Sequence, residues 1–254
     1  MILDSFRLDG RVALVTGSSR GIGQAAAIAL AEAGADLALL DRTPPAETID
    51  QLAATGRRVH SIECDLASAA PERLHAAVAE AAAALGGVDI LVNNAGIIRR
   101  SPAAEHPASD WDDVLRVNLD AVFHLSQAAG RRMLERGWGR IINVASMLSF
   151  QGGVLVPGYT ASKHAVAGLT KALANEWASA GVTVNAIAPG YLATDNTAAL
   201  RADAERERAI LSRIPAGRWG APSDLQGAFV FLASDAAAYL TGAVLPVDGG
   251  WLVR

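Results

Sequence analysis

Tyr159 and Lys163 stand four residues apart in a stretch, Gly158 to Ser179, that reads as a helix, so both side chains project from one face. A free tyrosine titrates at about 10, too high for a base near neutrality, and an ammonium beside the phenol favours the phenolate. The pair thus has the parts of a proton donor and acceptor, although the same spacing also fits two side chains packed on a helix surface. A second kind of chemistry is suggested by Thr16-Gly17-Ser18-Ser19-Arg20-Gly21-Ile22-Gly23. This glycine-rich turn, between an apolar run and an alanine-rich segment, lets backbone approach a pyrophosphate closely, and the N–H groups and dipole of the following helix favour its charge. Asp41 closes the next apolar run 18 positions after Gly23, close to the roughly 20 at which an acid meets the adenosine ribose hydroxyls of a dinucleotide. That acid favours NAD over NADP, while Arg20 and Arg42 are near enough to neutralise a 2′-phosphate; a solvated turn is the plainer reading of Asp41.

These residues need a scaffold, and the chain supplies one in a recurring order of short apolar run, turn and alanine-rich segment. Val12–Thr16 reads as a strand, Ile22–Ala33 as a helix ended by Gly34, and Asp36–Asp41 as a second strand. Further strands are expected at Arg58–Glu63, Val88–Asn93, Arg140–Ala145, Val182–Ala188 and Ala243–Val247, with a helix over Asp110–Glu135. The alternation predicts an α/β, doubly wound Rossmann fold of about seven parallel strands with helices on both faces, in one domain over 1–254. No repeat, linker or low-complexity tract marks a boundary. Tyr191–Gly220, where polar and apolar residues mix around an acid- and arginine-rich helix, is expected to cover a site.

Of the 254 residues, 51 % are hydrophobic and 19 % charged, enough for a sheet buried on both sides. A net charge of -4 gives no general reason to bind nucleic acid or an anionic membrane. Cys64 is the single cysteine, which excludes an intrachain disulfide and a cysteine-built metal site and suits a cytoplasmic setting. His60, His75, His106, His124 and His164 show no metal-ligand spacing, so no metal is expected. Met1–Gly10 does not read as a signal peptide, and no apolar run approaches a membrane span of about 18 residues.

Taken with Ser146, Asn118 and the loop Asn93-Asn94-Ala95-Gly96, the tyrosine–lysine pair resembles the short-chain dehydrogenase/reductase family over essentially the whole chain. The resemblance implies that Tyr159 donates and accepts the proton, Lys163 binds the nicotinamide ribose and lowers the proton affinity of the tyrosine, and Ser146 hydrogen-bonds the substrate oxygen. Asn118 would hold a water linking Lys163 to solvent. For the cofactor, the resemblance implies Gly17, Ser19, Arg20, Gly21, Ile22 and Gly23 at the phosphates, Asp41 and Arg42 at the ribose, and Asp65 and Leu66 at the adenine. Asn93, Ala95 and Gly96 would lie against cofactor and sheet, and Pro189, Gly190 and Thr194 would cradle the nicotinamide. Homotetramers are usual in the family and are expected here, while Trp251 fits either its own core or a neighbour's surface.

Finer likeness lies in Ser146-Met147-Leu148-Ser149-Phe150-Gln151-Gly152-Gly153, Ala188-Pro189-Gly190-Tyr191 and Ile214-Pro215-Ala216-Gly217-Arg218-Trp219. These resemble the sugar-acid branch of the family, which acts on gluconate, 2-deoxy-gluconate and 2-dehydro-3-deoxy-gluconate. A carboxylate substrate needs a cation, and Arg99 or Arg100 is placed to supply it; Gln151, Asn196 and Arg218 are further pocket candidates. The competing expectations are a reductase for a 3-oxoacyl thioester or another carbonyl, and a nicotinamide-sensing protein without turnover.

Overall fold

The structure is a computed structural model describing residues 1–254. Seven strands, β1 (Val12–Thr16), β2 (Asp36–Asp41), β3 (Val59–Glu63), β4 (Ile90–Asn93), β5 (Gly139–Val144), β6 (Val182–Pro189) and β7 (Val244–Val247), form one sheet in the order β3-β2-β1-β4-β5-β6-β7. Every pairing is parallel, with Val15 opposite Leu39 and Val92, Asn93 opposite Asn143, and Pro189 opposite Val247. All strands therefore end on the same edge. The order reverses between β1 and β4, and such a switch point leaves a crevice beyond the strand ends where ligands of this fold class bind.

The helices are α1 (Gly21–Glu32), α2 (Ala46–Ala53), α3 (Pro71–Leu85), α4 (Ala108–Leu115), α5 (Ala121–Arg136), α6 (Pro157–Trp177), α7 (Ala198–Ala202), α8 (Ala204–Leu211) and α9 (Gln226–Ala233). Side chains alternate along each strand: Ala13 and Val15 join the core beneath α1 and α9, whereas Val12 and Leu14 join the core beneath α3, α5 and α6. Proline at the first turn starts α3 and α6, where its missing N–H has no helical partner to lose. Gly86 and Gly137, both in the left-handed region, end α3 and α5. No helix is long and apolar enough to cross a membrane.

One expectation is corrected. The helix expected over Asp110–Glu135 is interrupted at Arg116–Asp120 by a π turn, in which the Ala121 N–H donates to the Arg116 carbonyl five residues back. Asn118 sits in this turn, and its bonds to the backbone of Ile97 outweigh the regular helical register. The choice left open for Trp251 is also resolved, since the ring is buried against Met147 and Ile214 of its own chain.

Candidate active site

A cleft of about 620 Å³ opens at the switch point, within the size range of small-molecule sites. Its floor is the turn after β1. Gly17 and Gly21 hold φ of +64° and +58°, and a Cβ on Gly23 would lie 2.1 Å from the Gly17 carbonyl oxygen, so only glycine lets α1 start this close to the strand. Arg20, at the N-cap, spends no side-chain bond on α1, which leaves the first-turn N–H groups of Gly21 and Ile22 available at the cleft. Asn94, passed over as a site residue, pins the far wall: its Nδ2 donates to the Thr16 and Gly17 carbonyls at 2.9 and 3.0 Å. The Asn94 and Ala95 N–H groups both donate to Thr16 Oγ1 at 3.0 Å.

At one end of the cleft Asp41 accepts from the N–H of Ser19 at 2.9 Å and of Arg42 at 2.8 Å. Asp65 turns its own loop by accepting from the Ala67 N–H at 3.1 Å, and Leu66 lines the cleft beside it. Arg20 pairs with Asp195 at 2.8 Å, linking the glycine turn to the segment over the cleft. Thr194 and Asn196 of that segment also line the space. A dinucleotide matches this trough in shape and in polarity, with free N–H groups at its waist and a carboxylate at one end.

Tyr159 and Lys163 line the other end from the first turns of α6. Lys163 Nζ donates to the Val144 carbonyl at the end of β5 at 2.6 Å and lies 5.5 Å from the centre of the Tyr159 ring. Burial pushes the Lys163 ammonium down from its usual range to about 8. Burial also raises the Tyr159 phenol, opposed by a hydrogen bond from the Ser146 side and by the charge of Arg100. Ser146 begins the short turn Met147–Ser149 with an extended backbone, and its Oγ accepts from the Leu148 N–H at 3.1 Å. Ser149, a second residue the sequence reading missed, donates through Oγ to the Lys163 carbonyl at 2.7 Å and so locks the Ser146 turn to α6.

Asn118 is fully buried and does not line the cleft. Its Oδ1 accepts from the Ile97 N–H at 2.9 Å, and its Nδ2 donates to the Ile97 carbonyl and to Ser162 Oγ at 3.0 and 3.2 Å. The amide expected to hold a water is therefore engaged in clamping the loop after β4 to α6. Asn93 is likewise buried, donating to Ser126 Oγ at 3.0 Å and Asn143 Oδ1 at 2.9 Å; it supports the sheet, while Ala95 and Gly96 line the cleft.

The remaining candidates separate. Arg99 lines the cleft but lies 3.6 Å from both Asp110 and Asp113. Arg100 is exposed and falls outside the cleft lining; it has no carboxylate partner and donates to the carbonyl of Asn196, which does line the cleft, at 3.2 Å. The loop bearing both arginines is held by Leu155, whose φ of +66° is costly for a side chain of this size and whose carbonyl accepts from the Ser101 N–H at 3.0 Å. Pro189 and Gly190 lie at the end of β6 outside the cleft lining, and a Cβ on Gly190 would meet Asp248 Cα at 2.5 Å. Arg218 also falls outside: Asp224 holds it in two bonds of 2.7 and 2.9 Å beside a separate cavity of about 260 Å³. Gln151 accepts from the Trp251 indole instead of facing the cleft lining.

The family profile described as short chain dehydrogenase matches residues 11–205, from the start of β1 to the beginning of α8. This protein is a short-chain dehydrogenase. The chain is 55 % identical over its full length, and over all of the relative, to 2-dehydro-3-deoxy-D-gluconate 5-dehydrogenase of Dickeya dadantii (strain 3937). It is 54 % identical, again over the whole of both chains, to the Escherichia coli (strain K12) protein of that name. Among solved structures, a gluconate 5-dehydrogenase from Burkholderia cenocepacia J2315 in complex with NADP and tartrate superposes with a TM-score of 0.94 at 43 % identity, covering 100 % of both chains. The short-chain dehydrogenase described here is thus an oxidoreductase with a nicotinamide-dinucleotide cleft and a small-molecule substrate.

Proposed function

We propose that this short-chain dehydrogenase moves a hydride reversibly between a nicotinamide dinucleotide and a secondary alcohol or ketone carbon of a sugar acid, 2-dehydro-3-deoxy-gluconate or 2-deoxy-gluconate. The observation that carries the substrate class is Arg100, an exposed guanidinium without a carboxylate partner, bonded to the carbonyl of Asn196 in the cleft wall. A bound carboxylate would complete its charge, and the full-length relatives named for 2-dehydro-3-deoxy-gluconate support the same class. Gluconate oxidised at its fifth carbon is the second reading, supported by the gluconate 5-dehydrogenase relative.

In this reading Tyr159 takes the hydroxyl proton during oxidation and returns it during reduction, and Ser146 hydrogen-bonds the same oxygen. The nicotinamide supplies or accepts the hydride, and its oxidised ring adds a positive charge. Lys163 holds the ribose and contributes a second cation, while Asn118 acts at one remove by fixing the Ile97 loop against α6. Gly17 to Gly23 and Ala95 would hold the phosphates, Asp65 and Leu66 the adenine, and Thr194 the nicotinamide end. Asp41 favours NAD because its carboxylate would accept from ribose hydroxyls; Arg20 and Arg42 line the same cleft and would seat the extra phosphate of NADP. Tyr191–Gly220 covers the substrate, pinned at its ends by the Leu192–Gly220 bridge. A homotetramer is proposed, with the outward Trp111 and Phe123 on α4 and α5, 37 % and 39 % exposed, as apolar contacts.

The test is nicotinamide absorbance with purified protein, NAD or NADP, and a panel of gluconate, 2-deoxy-gluconate, their keto-acid counterparts, an acetoacetyl thioester and a simple secondary alcohol. Selective turnover of a sugar acid is expected, with Arg100→Ala raising its KM by about 10- to 100-fold, as loss of a charged hydrogen bond implies, and leaving nucleotide binding alone. Turnover of the thioester or alcohol alone would discard the pocket, and nucleotide binding without any turnover would favour the sensor.

A further inference from the structure

The segment Asp248–Arg254 is stitched to the Tyr191–Gly220 segment and to the turn that follows Ser146. Gly249 and Gly250 hold φ of +63° and +88°, and a Cβ on either would press on Ile214 or Pro215 at 2.9 Å. Glycine alone lets the two stretches lie this close. The Ala216 N–H donates to the Gly249 carbonyl at 3.0 Å, and Arg254 donates to the Ser212 carbonyl at 2.8 Å. Asp248 closes the turn by accepting from the Gly250 and Leu252 N–H groups at 2.9 Å each.

Trp251, 5 % exposed, belongs to a small apolar cluster with Met147 and Ile214, apart from the two main cores. Met147 directly follows Ser146, whereas Ile210 and Leu211, packed on the same cluster, close α8. The Arg213 guanidinium lies 3.9 Å from the centre of the Trp251 ring, and Tyr191 meets that ring edge-on at 4.7 Å. The indole N–H donates to Gln151 Oε1 at 2.9 Å, on the loop leading to Tyr159. One side chain therefore touches the covering segment at Tyr191 and again at the end of α8, and packs on the residue that follows Ser146.

We propose that Trp251 is a positioning residue that latches the α8 part of the Tyr191–Gly220 cover, residues 204–214, onto the Ser146 turn and thereby sets the affinity for the acid substrate without contacting it, while Thr194 and Asp195 at the nucleotide keep their place. No residue of α8 is fully buried, so that helix has little core of its own. An element with few buried apolar contacts opens at small cost, and the apparent affinity for a ligand scales with the fraction of molecules already closed. The Trp251 cluster is what holds that fraction up. This inference rests on the proposed role of Tyr191–Gly220 as the substrate cover.

The experiment compares wild type, Trp251→Phe, which keeps a ring and loses the N–H, and Trp251→Ala, which loses both. KM for the sugar acid is expected to rise about fivefold in the first and about 30-fold in the second, the former being the usual worth of one hydrogen bond. The dissociation constant for the nucleotide alone should stay within about twofold, and kcat should change less than KM. Amide hydrogen exchange in Trp251→Ala should accelerate across 204–214 while β1 and β4 keep their protection. An unchanged KM, an equal loss in nucleotide affinity, or acceleration spread over the whole sheet would overturn the latch. If the wild type turns over no sugar acid, the substrate reading fails by itself. Exchange then decides the latch, supporting it if the acceleration is confined to 204–214 and overturning it otherwise.

Discussion

Lys163→Met should make the protein lose the gain in stability that wild type shows as pH rises from 7 to 9.5. Lys163 is 4 % exposed, and burial holds its ammonium at about 8 against an ordinary 10.5. Between those values the unfolded chain keeps a proton that the folded protein has released, so stability rises with pH across this window; below it both states are charged and the full cost of burying the cation is present. Integrating from pH 7 to 9.5 with these two pKa values gives wild type about 2 kcal/mol relative to the methionine variant, which has no proton to release. Cys64, whose thiol burial pushes up from 9.0, acts in the opposite direction above about pH 9. Its contribution is common to both proteins and cancels in the difference. The assay is urea unfolding of the nucleotide-free proteins at four pH values, read as the difference in unfolding free energy. A difference that stays flat within about 0.5 kcal/mol would refute the buried-cation reasoning, whatever the absolute stabilities. Turnover by Lys163→Met should be lost at every pH.

Tyr159→Phe removes the titrating oxygen but leaves the ring against α6, so kcat should fall by about 10²- to 10⁴-fold with nucleotide binding retained, checked by steady-state rates and fluorescence titration. Gly23→Ala drives a methyl to within 2.1 Å of the Gly17 carbonyl and 2.5 Å of Asn94 Nδ2; calorimetry should show a loss of nucleotide affinity of about 100-fold or more, with a lowered Tm. Ser149→Ala breaks the bond from the Ser146 turn to Lys163, at a cost of about 1 kcal/mol. Its kcat should fall several-fold with nucleotide affinity unchanged, and a kcat equal to wild type would remove Ser149 from the positioning set.

The order of strands and helices was legible because apolar runs buried on both faces and alanine-rich helices leave a pattern in consecutive residues, and the expected α/β sheet has its seven strands close to the expected positions. The glycine turn and the Tyr159–Lys163 pair were legible for the same reason, since a tight turn and a helical repeat are local. What tertiary structure decided lies between residues far apart in sequence. Asn94 meets Thr16 across 78 positions, and Trp251 meets Gln151 across 100. The π turn at Asn118 arises because a backbone segment 21 residues away captures its amide, and no local propensity records that partner. Arg99 and Arg100 are adjacent and chemically identical, yet the packing of α4 gives acids to the first and leaves the second without one. Sequence alone determined which elements form and which side chains carry reactive groups, because both are properties of neighbouring residues. The fold decided which of those groups are already spent on each other, because a charge or a hydrogen-bond donor is committed only when its distant partner arrives.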